Sequence, residues 1–287
     1  MTTRYIAVET LEQAGRLLGG DGVRIIAGGT DLMVQLRRSR LTLSGLPEAL
    51  VDVTRIPELN RLEIDGDRAY LGAAVTFRRL ETDPEVARGL PLLFQTAATV
   101  GSVQIRQAAT LGGNVANASP AADGLTALAA LGARVEIASR RGIRHLELEN
   151  LVTAPNRTVL EPDELIVGFE LDRPPAPSGQ TFHKVGRRRA VTIARLNVAV
   201  CLDWDLSDPR VVLGACFPTP RRLSLVEKMI AGGSPGPALW EEAGRLAAEQ
   251  FALVCGWRPS ATYKVPAAAR VVARALGTAW HKVGGEA

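Results

Sequence analysis

The chain has 287 residues, of which 46% are hydrophobic, and a formal net charge of +4; it is long enough for two domains with substantial cores. No stretch approaches the roughly 18 uncharged apolar residues of a membrane span, and Met1 to Tyr5 has no apolar run like that of a signal peptide, so a cytoplasmic location is the default expectation. The arginine clusters, Arg37 with Arg38, Arg140 with Arg141, Arg187 to Arg189 and Arg221 with Arg222, are scattered; they read as solvated faces or subunit contacts rather than a nucleic-acid stripe.

Thr10 to Leu18 reads as a short helix, 23 to 27 as a buried strand, Leu32 to Arg38 as an apolar-periodic helix and Leu50 to Val53 as a strand; Pro57 marks a break. Beyond it, Tyr70 to Ala74 reads as a strand, and Thr76 to Glu81 and Pro91 to Val100 as helices. A second glycine turn then opens into small residues before a helix over Gly124 to Leu131. Arg134 to Ala138, Ile143 to Leu148 and Glu164 to Leu171 alternate like strands. Asp172 to Gly179, with Pro174, Pro175 and Pro177, reads as a linker. Strands at Thr181 to Val185, Leu196 to Leu206 and Val211 to Phe217 follow it, then helices from Leu223, Pro237 and about Thr262. This order is α+β. It is not a Rossmann fold, because strands and helices do not alternate strictly and no G-x-G-x-x-G follows the first strand.

Cys201, Cys216 and Cys255 lie far apart, with no C-x-x-C pair, and His145, His183 and His281 are dispersed, so neither a zinc site nor an iron–sulfur cluster is indicated. Cys201 and Cys216 read as packing residues in apolar strands. The absence of a P-loop and of H-E-x-x-H argues against a nucleotide triphosphatase or metalloprotease.

The informative strings are Ala27-Gly28-Gly29-Thr30-Asp31, followed by Leu32, and Thr110-Leu111-Gly112-Gly113-Asn114. Each pair of glycines lets the backbone approach a ligand closely and adopt positive φ. Together they read as two halves of a diphosphate cradle built from backbone N–H groups and short polar side chains, with no lysine required. The alternative at either pair alone is a turn plus a helix cap. Asp31 reads as a carboxylate at a helix N-terminus, stabilised by the helix dipole. Asp123 reads either as a group for sugar or ribityl hydroxyls or as the cap of the helix that follows it. Lys184 is an isolated cation in an apolar strand, with an edge-strand surface lysine as the alternative.

The run from Val100 to Asp123, VGSVQIRQAATLGGNVANASPAAD, resembles the FAD-binding medium subunit of the molybdenum hydroxylases, the xanthine dehydrogenase and carbon monoxide dehydrogenase family. Phe182 to Gly186, Leu196 to Val200, Leu213 to Ala215, Pro218 to Pro220, and Arg258, Ser260, Tyr263 and Lys264 are similar to that family's C-terminal domain. The resemblance implies an FAD domain of two α+β subdomains of the vanillyl-alcohol-oxidase type over 1–173, divided near 57, and a smaller α+β domain of the CO dehydrogenase flavoprotein type over 180–287. It implies FAD contacts from both glycine strings and from Val100, Asp123, Ile166 and Lys184. Lys184 is expected near the flavin's pyrimidine edge, where it stabilises negative charge on the reduced ring.

Molybdopterin and [2Fe–2S] clusters are expected only on partners, a large and a small subunit, in a dimer of heterotrimers. This chain is then an electron-exit module that delivers to NAD, a quinone or another carrier. An FAD-binding interaction or assembly protein without turnover is the competing reading. A stand-alone vanillyl-alcohol-type oxidase fits less well, since the chain lacks that family's large substrate domain.

Overall fold

The computed structural model describes residues 3–41, 46–174, 176–188, 191–256 and 259–284. Pro175 of the expected linker, Arg189 and Arg258 lie outside the described residues. No described helix is long and apolar enough to cross a membrane.

The chain opens with β1 (Arg4–Ala7), α1 (Leu11–Leu17), β2 (Val23–Ile26), α2 (Leu32–Leu41) and β3 (Ala49–Asp52). Thr10 ends the first connection by accepting the Gln13 N–H, which caps α1. The strands form a parallel sheet in the order β1-β3-β2. β3 is buried at every position because it lies between two neighbours.

A second unit follows with β4 (Leu62–Asp65), β5 (Arg68–Gly72), α3 (Phe77–Thr82), α4 (Pro84–Gly89), α5 (Pro91–Ala98), α6 (Val103–Ala108), α7 (Leu111–Asn117) and α8 (Asp123–Ala130). It continues through β6 (Arg134–Ser139), β7 (Gly142–Glu147), α9 (Leu148–Leu151), the hairpin of β8 (Val152–Ala154) with β9 (Arg157–Thr158), and β10 (Leu165–Asp172). Its antiparallel sheet has the order β4-β5-β10-β6-β7, and a bulge between Ile166 and Gly168 interrupts the β10–β6 register.

The C-terminal unit has β11 (Ser178–Val185), β12 (Leu196–Asp203), β13 (Arg210–Gly214) and β14 (Arg221–Arg222) in sequential antiparallel order. α10 (Ser224–Ile230), α11 (Pro237–Cys255) and α12 (Ala261–Val283) follow. β12 is buried along its whole length. Its side chains divide by the period-2 rule: Leu196, Val198, Val200 and Leu202 join the core under α11 and α12, whereas Ala199 and Cys201 join the core of the preceding units. The sheet is therefore clamped between its own helices and α5 and α8.

The α+β architecture matches the sequence expectation, with local differences. The stretch around Gly112 and Gly113 is not an open turn; it forms the first turn of α7, whose N-cap is Thr110. Cys201 is buried in β12, where burial pushes its thiol up to about 12, and Cys216 is buried just beyond β13 rather than within a strand.

Candidate functional site

A cleft of about 590 Å³ opens between the first sheet, the α7–α8 segment and the C-terminal unit, within the roughly 300–1,000 Å³ of cofactor pockets. Its first wall is the turn from β2 into α2. Gly29 there has φ +66°, a left-handed conformation that favours glycine. Gly28 is required for a different reason: a Cβ on it would collide with the backbone carbonyl of Ala108. Among the described residues, the N–H groups of Gly28, Gly29 and Thr30 have no protein acceptor. Asp31 stays exposed at the rim, and partial desolvation raises its carboxyl pKa.

The opposite wall is the start of α7, and here the glycine pair works differently from the cradle expected. The Leu111 N–H donates to Val75 O at 2.9 Å, Gly112 to Ala73 O at 2.8 Å and Asn114 to Thr110 O at 3.0 Å. The Gly113 N–H donates to Thr110 Oγ1 at 3.1 Å. These backbone donors are engaged within the protein, so the donors left on this wall are side chains. The Thr110 hydroxyl keeps its own proton, and Asn114, whose Oδ1 accepts the Leu125 N–H at 3.2 Å, keeps its amide NH2. A Cβ on Gly112 would lie 2.5 Å from Ala73 Cβ, so this glycine serves packing; one on Gly113 would meet only Thr110 Oγ1, at 2.9 Å. Gly113 does not have positive φ.

The third wall comes from the junction with the C-terminal unit. Lys184 is not isolated. Its Nζ donates to Asp123 Oδ2 at 2.5 Å and to Thr99 O at 2.9 Å, and the two side chains of the ion pair are only 8% and 6% exposed. Asn197, fully buried, donates to Asp123 Oδ1 at 2.8 Å and accepts from the Thr126 hydroxyl at 3.1 Å. Burial pushes the Asp123 carboxyl pKa up, and the Lys184 charge and both donors oppose that shift. Asp123 is the first residue of α8 and not its cap, because the N-cap is Ala122 with no side-chain bond. It thus ties α8 to β11 and β12.

Every expected site residue lines this cleft except Leu111, whose side chain is fully buried in the core. Ile166 lines it from the bulged start of β10. The sequence reading missed several lining residues. Gln35 Nε2 donates to Asn117 Oδ1 at 3.0 Å, joining α2 to α7 beside the cleft. Val191 and Ile193, on the segment after β11, reach its mouth. Glu164 also lines it, accepting from Arg144 Nε at 2.7 Å, from Arg144 Nη2 at 2.8 Å and from the Glu161 N–H at 2.9 Å. The Arg144 contact, against the effect of burial, holds its carboxyl below the usual value.

Elsewhere, Glu136, His145 and Glu170 from the adjacent strands β6, β7 and β10 bring candidate metal ligand atoms within 4.8 Å of one another. Sequence spacing had not grouped them. Arg134 also approaches Glu170, at 3.9 Å.

The sequence model described as the FAD binding domain in molybdopterin dehydrogenase matches residues 1–174. The chain belongs to this FAD-binding family. The CO dehydrogenase flavoprotein C-terminal domain matches residues 180–279 of the same flavoprotein.

Among curated relatives, the flavoprotein is 31% identical over 207 residues to the nicotinate dehydrogenase FAD-subunit of Eubacterium barkeri, covering 70% of this chain and 69% of the relative. It is 29% identical over 290 residues to a putative xanthine dehydrogenase FAD-binding subunit of Escherichia coli K12, with 98% and 97% covered. Among solved structures, a carbon monoxide dehydrogenase from Hydrogenophaga pseudoflava, which lacks the Mo-pyranopterin moiety, matches with a TM-score of 0.89 at 26% identity, covering 98% of each chain. The flavoprotein is thus an FAD-binding oxidoreductase subunit of the xanthine and carbon monoxide dehydrogenase kind, and such relatives are subunits of multi-subunit dehydrogenases.

The donor set of the cleft fits FAD: unengaged backbone N–H groups on one wall, a hydroxyl and an amide on the other, and apolar side chains such as Val100 and Ile166 between.

Proposed function

We propose that the cleft holds FAD non-covalently and that the chain passes electrons from [2Fe–2S] clusters of a small subunit to NAD, a quinone or another carrier. It does so in the cytoplasm, within a dimer of heterotrimers whose large subunit carries molybdopterin. The observation that carries this reading is the Gly28–Thr30 turn, whose N–H groups have no protein acceptor and lie across the cleft from Thr110 and Asn114. These neutral donors suit a diphosphate. FAD, when bound, supplies the redox chemistry.

The surrounding residues then have separable tasks. Ala27, Leu32, Val100 and Ile166 exclude water from the cofactor. Lys184 uses two of its three N–H donors on Asp123 and Thr99, which leaves one for the cofactor. Because Asp123 neutralises its charge, Lys184 orients the cofactor more than it charges the site. Ile193 is 81% exposed at the cleft mouth, with Arg187 and Arg188 also exposed on the same segment. An apolar centre with a basic rim suits subunit docking.

Among the described residues no His or Cys lines the cleft, so no side chain of the kind that tethers flavins is at hand. Acid precipitation should therefore release FAD and leave a colourless pellet. A pellet that stays yellow, or release of FMN, contradicts the reading. The isolated chain should show flavin absorption and little hydroxylation of heterocycles until the two other subunits are added; robust turnover by the metal-free chain alone sinks the partner assignment.

A further inference from the structure

The segment between α5 and α6 forms part of the cleft wall, and cations from two different elements hold its carbonyl groups. Thr99 O accepts from Lys184 at 2.9 Å, while Val100 O and Gly101 O accept from a single Arg106 Nη1 at 3.1 and 3.4 Å. Arg106 itself does not line the cleft. Its side chain, 12% exposed, brings Nε to an ion-pair distance of 2.7 Å from Glu81 Oε2 without the alignment of a hydrogen bond, and the Glu81 side chain is 7% exposed. Glu81 also takes Arg78 Nη1 at 2.8 Å. Burial opposes ionisation of Glu81, yet Arg106 and Arg78 hold its carboxyl pKa below the usual value.

A buried ion pair is a weak source of stability, since well-packed apolar residues of similar volume serve as well or better. What a guanidinium adds is direction, because its planar fork fixes the groups that it binds. The C=O and N–H of a trans peptide point opposite ways. With Val100 O turned onto Arg106, the Gly101 N–H points away from Arg106, and both Val100 and Gly101 line the cleft. That N–H has no protein acceptor among the described residues. The segment is also sterically confined: Gly101 has φ +51°, and a Cβ on it would lie 2.7 Å from Ile105 Cγ2.

We infer that Arg106, braced by Glu81, is a positioning residue that aims the Gly101 N–H at an acceptor atom of the flavin ring. This rests on the reading of the cleft as an FAD site. Lys184, expected beside the ring, grips the neighbouring carbonyl of the same segment, which places Gly101 at the ring end rather than at the diphosphate.

The test compares FAD titrations of the wild-type apoprotein with those of Arg106→Gln, Arg106→Lys and Glu81→Gln, and records visible circular dichroism of the bound flavin at saturation. Arg106→Gln should raise the Kd by about tenfold, the upper scale of one neutral hydrogen bond, and should change the visible dichroism at saturation. Arg106→Lys should restore part of both, and Glu81→Gln should shift the dichroism in the same direction. A folded Arg106→Gln protein with wild-type Kd and wild-type dichroism overturns the inference and leaves the FAD reading intact. If Arg106→Gln does not fold, wild-type dichroism in Glu81→Gln overturns it instead. Failure of the wild-type protein to bind FAD removes both readings together.

Discussion

Gly112 and Gly113 are adjacent and chemically identical, yet the structure predicts opposite outcomes when each becomes alanine. At position 112 the new Cβ would lie 2.5 Å from Ala73 Cβ and 2.8 Å from Ala73 O, where carbon pairs prefer about 3.5–4.0 Å. Relief requires α7 to move by about 1 Å from Ala73, just beyond β5, with an overpacking cost of about 1–3 kcal/mol. The same movement stretches the Gly112 N–H bond to Ala73 O, now 2.8 Å, which is worth about 1 kcal/mol. Removing a helical glycine returns about 0.8–1 kcal/mol, so the net loss is about 1–3 kcal/mol. At position 113 the new Cβ would meet only the capping oxygen of Thr110, at 2.9 Å. Weakening that cap, at about 1 kcal/mol, offsets the similar helical gain, so stability stays within about 0.5 kcal/mol of wild type. The methyl group projects into the cleft, and FAD affinity falls. Urea unfolding of the apoproteins reads the first quantity and calorimetric FAD titration the second. Equal stability of the two variants, or an unchanged FAD affinity for Gly113→Ala, refutes the division between a packing glycine and a site glycine.

Lys184→Met leaves Asp123 buried without its counter-ion and should cost about 3–5 kcal/mol at neutral pH. Since burial already raises the Asp123 pKa above 3.8, the folded variant binds a proton before the unfolded chain does. Its deficit should therefore shrink as pH falls through the folded pKa, and a pH-independent deficit in urea unfolding refutes the argument. Glu164→Gln should cost about 1 kcal/mol, with the bond strength discounted for the partial exposure of Arg144. The wild-type pKa is held below 4.5, so this stabilisation is present above that value and is lost as pH falls through the folded pKa. The difference in melting temperature between wild type and Glu164→Gln should therefore vanish in acid, and a gap at pH 3 as wide as at pH 7, values of about these magnitudes, rules it out.

Much of the fold was legible because its elements carry strong local signals. Thr10 and Thr76 announce α1 and α3 as caps, and the apolar run from Leu196 marks β12. α7 was missed because two glycines lower helix propensity by about 1 kcal/mol each; Thr110 as cap and the fully buried Leu111 and Val115 outweigh that cost. α6 buries no residue completely, so its apolar pattern is weak. The two glycine strings were readable as one site, but their internal roles were not. Gly28 and Gly112 are defined by Ala108 and Ala73, neighbours that only the tertiary fold supplies. Lys184 stood out as a cation, whereas Asp123, its partner, lies 61 residues away. Glu136, His145 and Glu170 meet only because β6 lies between β7 and β10.

The double-sided burial of β12 bears on how this chain can be inherited and recombined. Ala199 and Cys201 belong to the core of the preceding units, while Val198 and Val200 belong to that of the C-terminal helices. The proline-rich segment before β11 looks like a natural crossover point, but a chimera joined there would set an unfamiliar sheet face against α5 and α8. Substitutions on those surfaces have to be accepted in concert. Subunits of this kind should therefore descend as whole chains, and a working hybrid should need the α8 face and the odd-numbered positions of β12 from the same parent.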